Sequence, residues 1–549
     1  MSDPVEQDMI SSTSEDSSSS KDDNDDNESI DDLPTAIDSF VPLIQVLDSP
    51  VVHFIGGEYH LRGPISLESL EKLSTYAQSV TSFTVSDDEP SLIPETLWRL
   101  IRLLDKYHWN NNLKGIFPSL DELCITDADA SLDLLGPLFT VSSLRYLEIY
   151  GVPEARRDTL LTFLYNLAND APNMYSIKLD GALPYKSALH SSCMKFLKLR
   201  ELHLEKVGPE LDWTTLRDIG QLPELEALVL SANGIIYTPQ HNAQSVPLEM
   251  AEPIESEKTK IPHPSEPTFR NLKSLHLVAK IDLMSDLVGL IESKEMTTFS
   301  LTLISTRNVS MVQSGVAELK PGFTEDTPLE PKQFTSIVKS ALATGPHTLT
   351  TFRIVGRRPS PTKVGKFSAK LPILMPYTLL ALLLHSSLRS LEVSRWTVTW
   401  DLGKVIPVLS TSGRPSKFRS LHFPIGKGIP LSMLHPILKS CPALVSLKCR
   451  FIKPSVIPAC PSDNDIYGLK TLGAGSMKVE HYELPEMTGI AQYLDALCPS
   501  LESIEFEKKD GQNCEQWKQI HNFVKMCQHS RSYHAAARNP VKPESWSQS

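Results

Sequence analysis

The sequence lacks a hydrophobic run long enough to cross a membrane. The longest run, "LPILMPYTLLALLLHSS" at 371–387, is interrupted by proline and shorter than the roughly 20 apolar residues that a bilayer-spanning helix needs. The amino terminus is acidic, whereas a secretory signal begins with a basic segment. The eight cysteines form no C-x-x-C pair and no metal-ligand spacing. We therefore expect a protein of a reducing compartment, the cytoplasm or the nucleus, that does not bind a membrane.

Motifs for catalysis and for cofactor binding are also missing. The glycine-containing stretches 426–428 ("GKG") and 472–478 ("LGAGSMK") lack the G-x-x-x-x-G-K-[ST] frame that holds phosphates. The sequence contains no G-x-S-x-G elbow and no H-E-x-x-H helix motif. His529 and His534 lie near Cys527, but their spacing matches no standard zinc site. The sequence thus predicts no catalytic residue, no cofactor and no metal, and we expect that the protein is not an enzyme.

The acidity of the chain is concentrated at one end. The whole sequence has 66 Asp/Glu and 53 Lys/Arg; residues 1–32 hold 12 of the acids and only Lys21 of the bases, which leaves 54 and 52 for the rest. A segment so charged and so poor in apolar residues cannot bury enough surface to fold, so we predict a disordered tail. Four serines there have an acid three residues on, which suits phosphorylation by an acid-directed kinase: Ser12, Ser19, Ser20 and Ser29.

A pattern of apolar residues recurs through most of the remaining chain. In "KLRELHLEKV" (198–207), leucines stand in an L-x-x-L-x-L frame. The last two apolar positions alternate with outward residues, so each copy predicts a short strand with one buried face. Clear copies begin at Leu120, Leu144, Met174, Leu199, Leu225, Leu272, Leu349, Leu388, Phe418, Leu444 and Leu501. Weaker copies lie at Val80–Val85, Met296–Leu301 and Leu469–Ala474.

Helical segments alternate with these strands. Apolar residues spaced by three and four predict helices within 155–172, 430–442 and 487–499. Four prolines each stand just before a strand frame, where proline ends the preceding helix: Pro172, Pro223, Pro442 and Pro499.

A strand followed by a helix, repeated at intervals in the twenties, resembles the leucine-rich-repeat superfamily across roughly residues 75–510. The resemblance implies an α/β fold, an irregular solenoid with a parallel sheet on the concave face and helices on the convex face. Only "LEALVLSANGI" (225–235) completes the consensus, with an asparagine at Asn233. Elsewhere that position holds Ala128, Val152, Val207, Lys280 or Trp396, so we expect irregular curvature. The long units and the "CPAL" and "CPSL" openings look like the repeat regions of fungal, basidiomycete-type F-box proteins.

The predicted organisation has five parts. They are a disordered acidic tail (1–32), an N-terminal helix and cap with a candidate F-box remnant (33–75), the solenoid (76–510), a C-terminal capping helix (511–540) and a disordered tail (541–549). Two polar, proline-rich loops interrupt the solenoid at 237–267 and 306–332. The capping helix is predicted to place one apolar face on the last repeat, comprising Trp517, Ile520, Phe523, Val524 and Cys527.

Outward positions of the strand frames are the candidates for partner binding, because tyrosine and arginine often anchor interfaces. These candidates are Tyr146, Glu148, Tyr150, Glu201, His203, Arg353, His422, Lys448 and Arg450. We predict a monomer that binds a protein partner on the concave face.

The family resemblance implies a more specific role, that of a substrate receptor for a cullin-type ubiquitin ligase. Proteins of that family carry an F-box of some forty residues, which binds the ligase adaptor. Here residues 31–50 have the Leu33–Pro34 opening and one apolar helix, without a clear full F-box. One alternative is a free-standing scaffold, and another is a GTPase regulator resembling the Ran GTPase-activating proteins. The basic stretch 353–370 offers a nucleic-acid contact, which the net acidity disfavours.

Overall fold

A computed structural model shows an elongated parallel sheet with helices along one side. The structure describes residues 35–47, 51–85, 94–110, 116–126, 141–181, 192, 194–205, 210–232, 236–238, 268–304, 331–356, 373–398, 417–423, 428–452, 456–459, 466–475, 482–506 and 511–538. The predicted disordered tails and nearly all of the two predicted loops, 237–267 and 306–332, lie outside these ranges.

Fifteen strands of the main sheet follow one another in chain order, each parallel to its neighbours. In chain order they are β1 (Ala36–Ile37), β2 (Ser82–Val85), β3 (Glu122–Ile125), β4 (Tyr146–Val152), β5 (Ser176–Gly181), β6 (Glu201–Glu205), β7 (Ala227–Ser231), β8 (Ser274–Ala279), β9 (Thr298–Leu303), β10 (Thr351–Gly356), β11 (Ser390–Ser394), β12 (Ser420–Phe423), β13 (Ser446–Ile452), β14 (Thr471–Gly475) and β15 (Ser503–Phe506). The short strand Ile429–Pro430 also pairs with the end of β13.

Register is kept from β2 to β15, so that equivalent residues of the repeat form rows across the sheet. One row contains the middle apolar residue of every frame, and each of its members is at most 4% exposed. From β2 to β15 it reads Phe83, Leu123, Leu147, Ile177, Leu202, Leu228, Leu275, Phe299, Phe352, Leu391, Leu421, Leu447, Leu472 and Ile504. The clear and the weak copies of the frame all form strands, which confirms the repeat.

Helices connect many of the strands and bury their apolar sides against the same core. They are α1 (Val41–Gln45), α2 (Leu67–Ser79), α3 (Pro94–Asn110), α4 (Arg157–Asp170), α5 (Trp213–Ile219), α6 (Ile281–Leu290), α7 (Pro331–Thr344), α8 (Pro376–Leu383), α9 (Leu434–Ser440), α10 (Leu484–Leu497) and α11 (Gly511–Arg538). Two single turns of 3₁₀ helix, Glu154–Arg156 and Leu431–Met433, precede α4 and α9.

Local sequence explains where several helices start and stop. The Ser66 hydroxyl accepts a bond from the amide of Ser69 at 3.0 Å and caps α2. A capping box between Glu483 and Glu486 opens α10. Helices α4, α9 and α10 each end two residues before the predicted stop at Pro172, Pro442 or Pro499, as the pattern predicted.

The sheet begins earlier than the predicted solenoid boundary at residue 76. Strand β1, at Ala36–Ile37, pairs with Ser82 and Phe83 of β2, so the N-terminal segment is already part of the main sheet. It is followed by an antiparallel hairpin of Val52–Ile55 and Glu58–Leu61, whose turn needs positive φ at Gly56 and Gly57 (66° and 90°). Two residues are too few to show a repeat frame, which is why the sequence pattern missed β1.

Two further pairs of short strands, separate from the main sheet, also escaped the pattern. Glu210–Asp212 pairs with Ile236–Thr238, and Ile373–Leu374 pairs with Thr397–Val398, both in parallel. The first pair places residues 237 and 238, the start of the predicted loop, in a strand.

The position of the consensus asparagine is filled by apolar packing in two described repeats. Trp396 is 1% exposed and its ring lies 4.5 Å from that of Phe334, while Val152 is also buried. The Trp396 Nε1–H is buried without a hydrogen-bond partner among the described residues. Side-chain packing therefore substitutes here for the hydrogen bonds that an asparagine ladder supplies.

The last repeat is covered by α11. Trp517, Ile520 and Val524 are buried against α10 and β15, and the Gln528 side-chain amide donates to the carbonyls of Pro499 and Leu501 at 3.2 and 2.9 Å. These contacts show that α11, which spans most of the predicted 511–540, lies against the end of the core. The helix thereby shields the last unit from water.

Candidate partner-binding face

The side chains that alternate with the buried rows point away from the core, and we call this side of the sheet the open face. The row that we call the central row consists of the residue between the second and third apolar positions of each frame. From β2 to β15 it contains Thr84, Cys124, Glu148, Lys178, His203, Val229, His276, Ser300, Arg353, Glu392, His422, Lys448, Gly473 and Glu505. Most of these side chains are half-buried or exposed.

The structure brings five of the nine sequence candidates into this row: Glu148, His203, Arg353, His422 and Lys448. Tyr146 and Glu201 lie in the preceding outward row, in register with Ser176 between them. Tyr150 lies two residues beyond Glu148 on the same strand. Arg450 belongs to β13, but its side chain is outside the described set. The four candidate phosphorylation sites and residues 357–370 of the basic stretch lie outside the described ranges.

Aromatic and charged groups cluster on β4 and β5. The Tyr150 hydroxyl donates to Glu148 Oε2 at 2.5 Å, and Lys178 Nζ lies 3.8 Å from the same oxygen and 4.9 Å from the centre of the Tyr150 ring. Burial raises the pKa of Tyr150, and the neighbouring Glu148 raises it further. The rings of Tyr146 and Tyr175 lie 5.5 Å apart. The polar groups on this part of the face are therefore paired with one another.

The central strands carry histidine instead. His203 of β6 and His276 of β8 flank Val229 of β7 in the central row. Burial lowers the pKa of both imidazoles. Glu201, Glu205 and Glu148 oppose this effect at His203, while Lys178 adds to it. This favours the neutral form of both imidazoles, in which each ring offers one donor and one acceptor.

Charges on the later strands are matched to each other. Glu392 of β11 lies between two basic side chains. Its Oε2 is 3.0 Å from Arg353 Nε, and its Oε1 is 3.7 Å from His422 Nδ1. Lys448 reaches Glu505, two strands away, at 2.5 Å. It crosses Gly473, where an added Cβ would come within 2.6 Å of Lys448 Cγ, so the missing side chain of Gly473 makes room for this ion pair.

Sequence reasoning missed Lys178, His276 and Ser300 as members of the face. Each stands at the same place in its repeat as Glu148 and His203, so aligning every frame by its second apolar residue would have found them. What the frame alone cannot give is which neighbours pair across strands, because that depends on side-chain reach as well as on register.

No cluster of three or more His, Cys, Asp or Glu residues that could hold a metal occurs in the described ranges. Burial raises the pKa of Cys498 to about 12 and also raises that of Cys124, Cys449 and Cys527, so these thiols stay protonated at neutral pH. No helix of the described chain is long and apolar enough to cross a membrane.

Comparison with known proteins adds little beyond the general type of structure. No family model and no curated protein matches the sequence. Similar solved structures include a leucine-rich-repeat protein of Leptospira interrogans (12% identity, 73% of this chain and 86% of that one, TM-score 0.33). A leucine-rich-repeat protein of Bacteroides eggerthii is also similar, with 10% identity over 82% of this chain and 72% of that one and a TM-score of 0.25. So is one of Bacteroides thetaiotaomicron, with 11% identity over 81% of this chain and 50% of that one and a TM-score of 0.24.

These likenesses are too distant to support an argument, so the fold assignment rests on the chain itself. The repeated apolar frame, the parallel strands in chain order and the shared core define it. The protein is an irregular leucine-rich-repeat solenoid with a parallel sheet on one side and helices on the other.

Proposed function

We propose that this protein is a non-catalytic interaction module that binds a protein partner on its open face. The observation that carries the proposal is the uninterrupted sheet of fifteen strands, whose outward side chains are mostly half-buried or exposed, while the inward ones form one core. An ordered surface of this kind costs little conformational entropy on binding, which favours recognition of a partner. Tyrosine and arginine, which often anchor interfaces, lie on it at Tyr146, Tyr150 and Arg353.

The test is affinity capture with three forms of the full chain. The first is the natural protein, and the second carries Arg353→Glu and Lys448→Glu on the open face. The third carries Lys339→Glu and Lys439→Glu, which change the charge equally at exposed positions of α7 and α9. Partners recovered by the first and third forms but lost from the second support the proposal. Loss of the same partners from both variants would contradict it.

The more specific role, substrate receptor of a ubiquitin ligase, requires an adaptor-binding segment near residues 31–50. In the structure, β1 and the hairpin at 52–61 occupy part of the region where that family carries a helical box. Capture of a ligase adaptor and a cullin by the full chain, lost when residues 1–50 are deleted, would establish the role. Recovery of other proteins alone would favour a free-standing scaffold.

A further inference from the structure

The middle of the open face is free of charge over three neighbouring strands. Strands β7, β8 and β9 contribute three outward residues each, and these residues are in register. We call them the neutral patch: Ala227, Val229, Ser231, Ser274, His276, Val278, Thr298, Ser300 and Thr302. At the spacing of parallel strands, the patch measures about 10 Å across the strands and about 13 Å along them. One extended segment of a partner would cover it.

Charged side chains border the neutral patch on both sides. Toward β6 stand Glu201 and Glu205 around His203, and toward β10 stands Arg353, already paired with Glu392. This arrangement, an uncharged centre within a charged rim, is that of protein interfaces, whose buried centres are depleted of charged residues.

Ser300 supplies an independent sign that something binds there. It is only 5% exposed, although its position in β9 directs it to the open side, between His276 and Arg353. Its hydroxyl is buried without a hydrogen-bond partner among the described residues. Such a group is unfavourable unless a partner is provided.

The chemistry of the patch restricts what can cover it. A partner charge buried there would lose its hydration, and the patch itself offers no opposite charge in return. Uncharged groups would instead meet the hydroxyls of Ser274, Thr298 and Ser300 and the imidazole of His276. The acidic tail at residues 1–32 is unsuited to this surface for the same reason.

We propose that the neutral patch is where the partner protein makes its central contact, and that it does so with an uncharged, hydrogen-bonding segment. This inference rests on the proposed function, since it places a binding centre within the open face. Lysine, arginine, aspartate and glutamate of the partner belong at the rim, opposite Glu201, Glu205 and Arg353.

The experiment uses a phage-displayed library of random peptides as the probe and the full natural chain as the target. Selected peptides are then measured against Ala227→Lys and Ser274→Lys, which put a charge into the patch. The matched control is Ser446→Lys, a half-buried outward position in the same row of the repeat but on β13. Melting temperatures of the three variants verify that each one folds.

We expect peptides with uncharged central residues, at least tenfold weaker binding to each patch variant and less than twofold change with the control. Peptides rich in charge, or binding lost only with Ser446→Lys, would overturn the inference while leaving an open-face binding site. Peptides indifferent to all three substitutions bind elsewhere and would count against the proposed function as well. A wild-type dimer in sedimentation that Ala227→Lys dissociates would make a second copy the occupant and also overturn the inference.

Discussion

The two sides of the same strands differ sharply in how much they vary. On the inward side, fourteen successive strands present leucine, isoleucine or phenylalanine at one position, all buried. On the open face, the residues of the central row include acids, bases, imidazoles, a serine and a glycine. Packing against neighbours leaves the inward side few choices, whereas water tolerates almost any residue on the other. The inward side therefore explains the fold, and the open face is where a function specific to this protein is to be sought.

The largest expected effect is a difference in unfolding free energy between substitutions at two adjacent residues of β13, one on each side of the sheet. Leu447→Ala should lower the free energy of unfolding by about 2–5 kcal/mol because it leaves a cavity in the core. Lys448→Glu should change it by less than about 1 kcal/mol, since an exposed ion pair contributes little, yet it should weaken partner binding. Urea unfolding of both variants checks the first two values. Equal destabilisation would mean that the two sides of the strand have been assigned the wrong way round.

A smaller effect concerns pairs of side chains on neighbouring strands. The rings of Phe299 and Phe352 are stacked in the core with centres 5.5 Å apart and planes within 6°. A double-mutant cycle with Phe→Leu at both positions should give a coupling of about 0.5–1.5 kcal/mol. The matching cycle on the open face, Arg353→Gln with Glu392→Gln, should give about 0–1 kcal/mol and lose it in 1 M salt. Coupling on the open face that survives high salt would contradict the contrast.

Next comes the ion pair that spans Gly473. Gly473→Ala should displace the Lys448 side chain and cost roughly 1 kcal/mol, mainly through crowding within the face. Adding Lys448→Ala should relieve only part of that cost, because it removes Lys448 Cγ, at 2.6 Å from the added Cβ, but keeps Lys448 Cβ, at 2.8 Å. Unfolding measurements on the single and double variants test this order. A glycine substitution that costs the same with and without Lys448 would assign the crowding to other atoms.

The smallest expected effect is the contribution of His276 to the pH dependence of stability, which tests whether this side chain on the open face is shielded from water. Burial lowers the pKa of His276, and Arg353 and His203 lower it further, while Glu205 opposes them. The unfolded chain takes up a proton near pH 6.5 that the folded state resists, so this contribution to stability is complete above that pH and falls on acidification. His276→Gln should lose less stability than the natural chain between pH 7.5 and 5.5, measured by urea unfolding. An unchanged slope would mean that His276 is as hydrated as an exposed residue.

The sequence alone was sufficient to predict the buried residues of the inward side, but it predicted only part of the arrangement of the open face. The frame from Leu120 to Ile125 and its later copies predicted strands because apolar alternation follows directly from which side is buried. It could not reveal β1, which is too short for a pattern. Nor could it show that Lys448 pairs with Glu505 across a glycine, because nothing along the chain connects residues in different repeats. The burial of Ser300 likewise depends on neighbouring strands and not on its own repeat.

The order of strands in the sheet also has a mechanical consequence. Each strand of the ladder hydrogen-bonds only to the strands of adjacent units, and no described strand ties the first part of the sheet to the last. When such a chain is pulled from its two ends, its repeats can unfold one at a time, and an unfolded repeat can refold against a neighbour that is still folded. The protein would then behave as a spring whose extension proceeds in steps of one repeat.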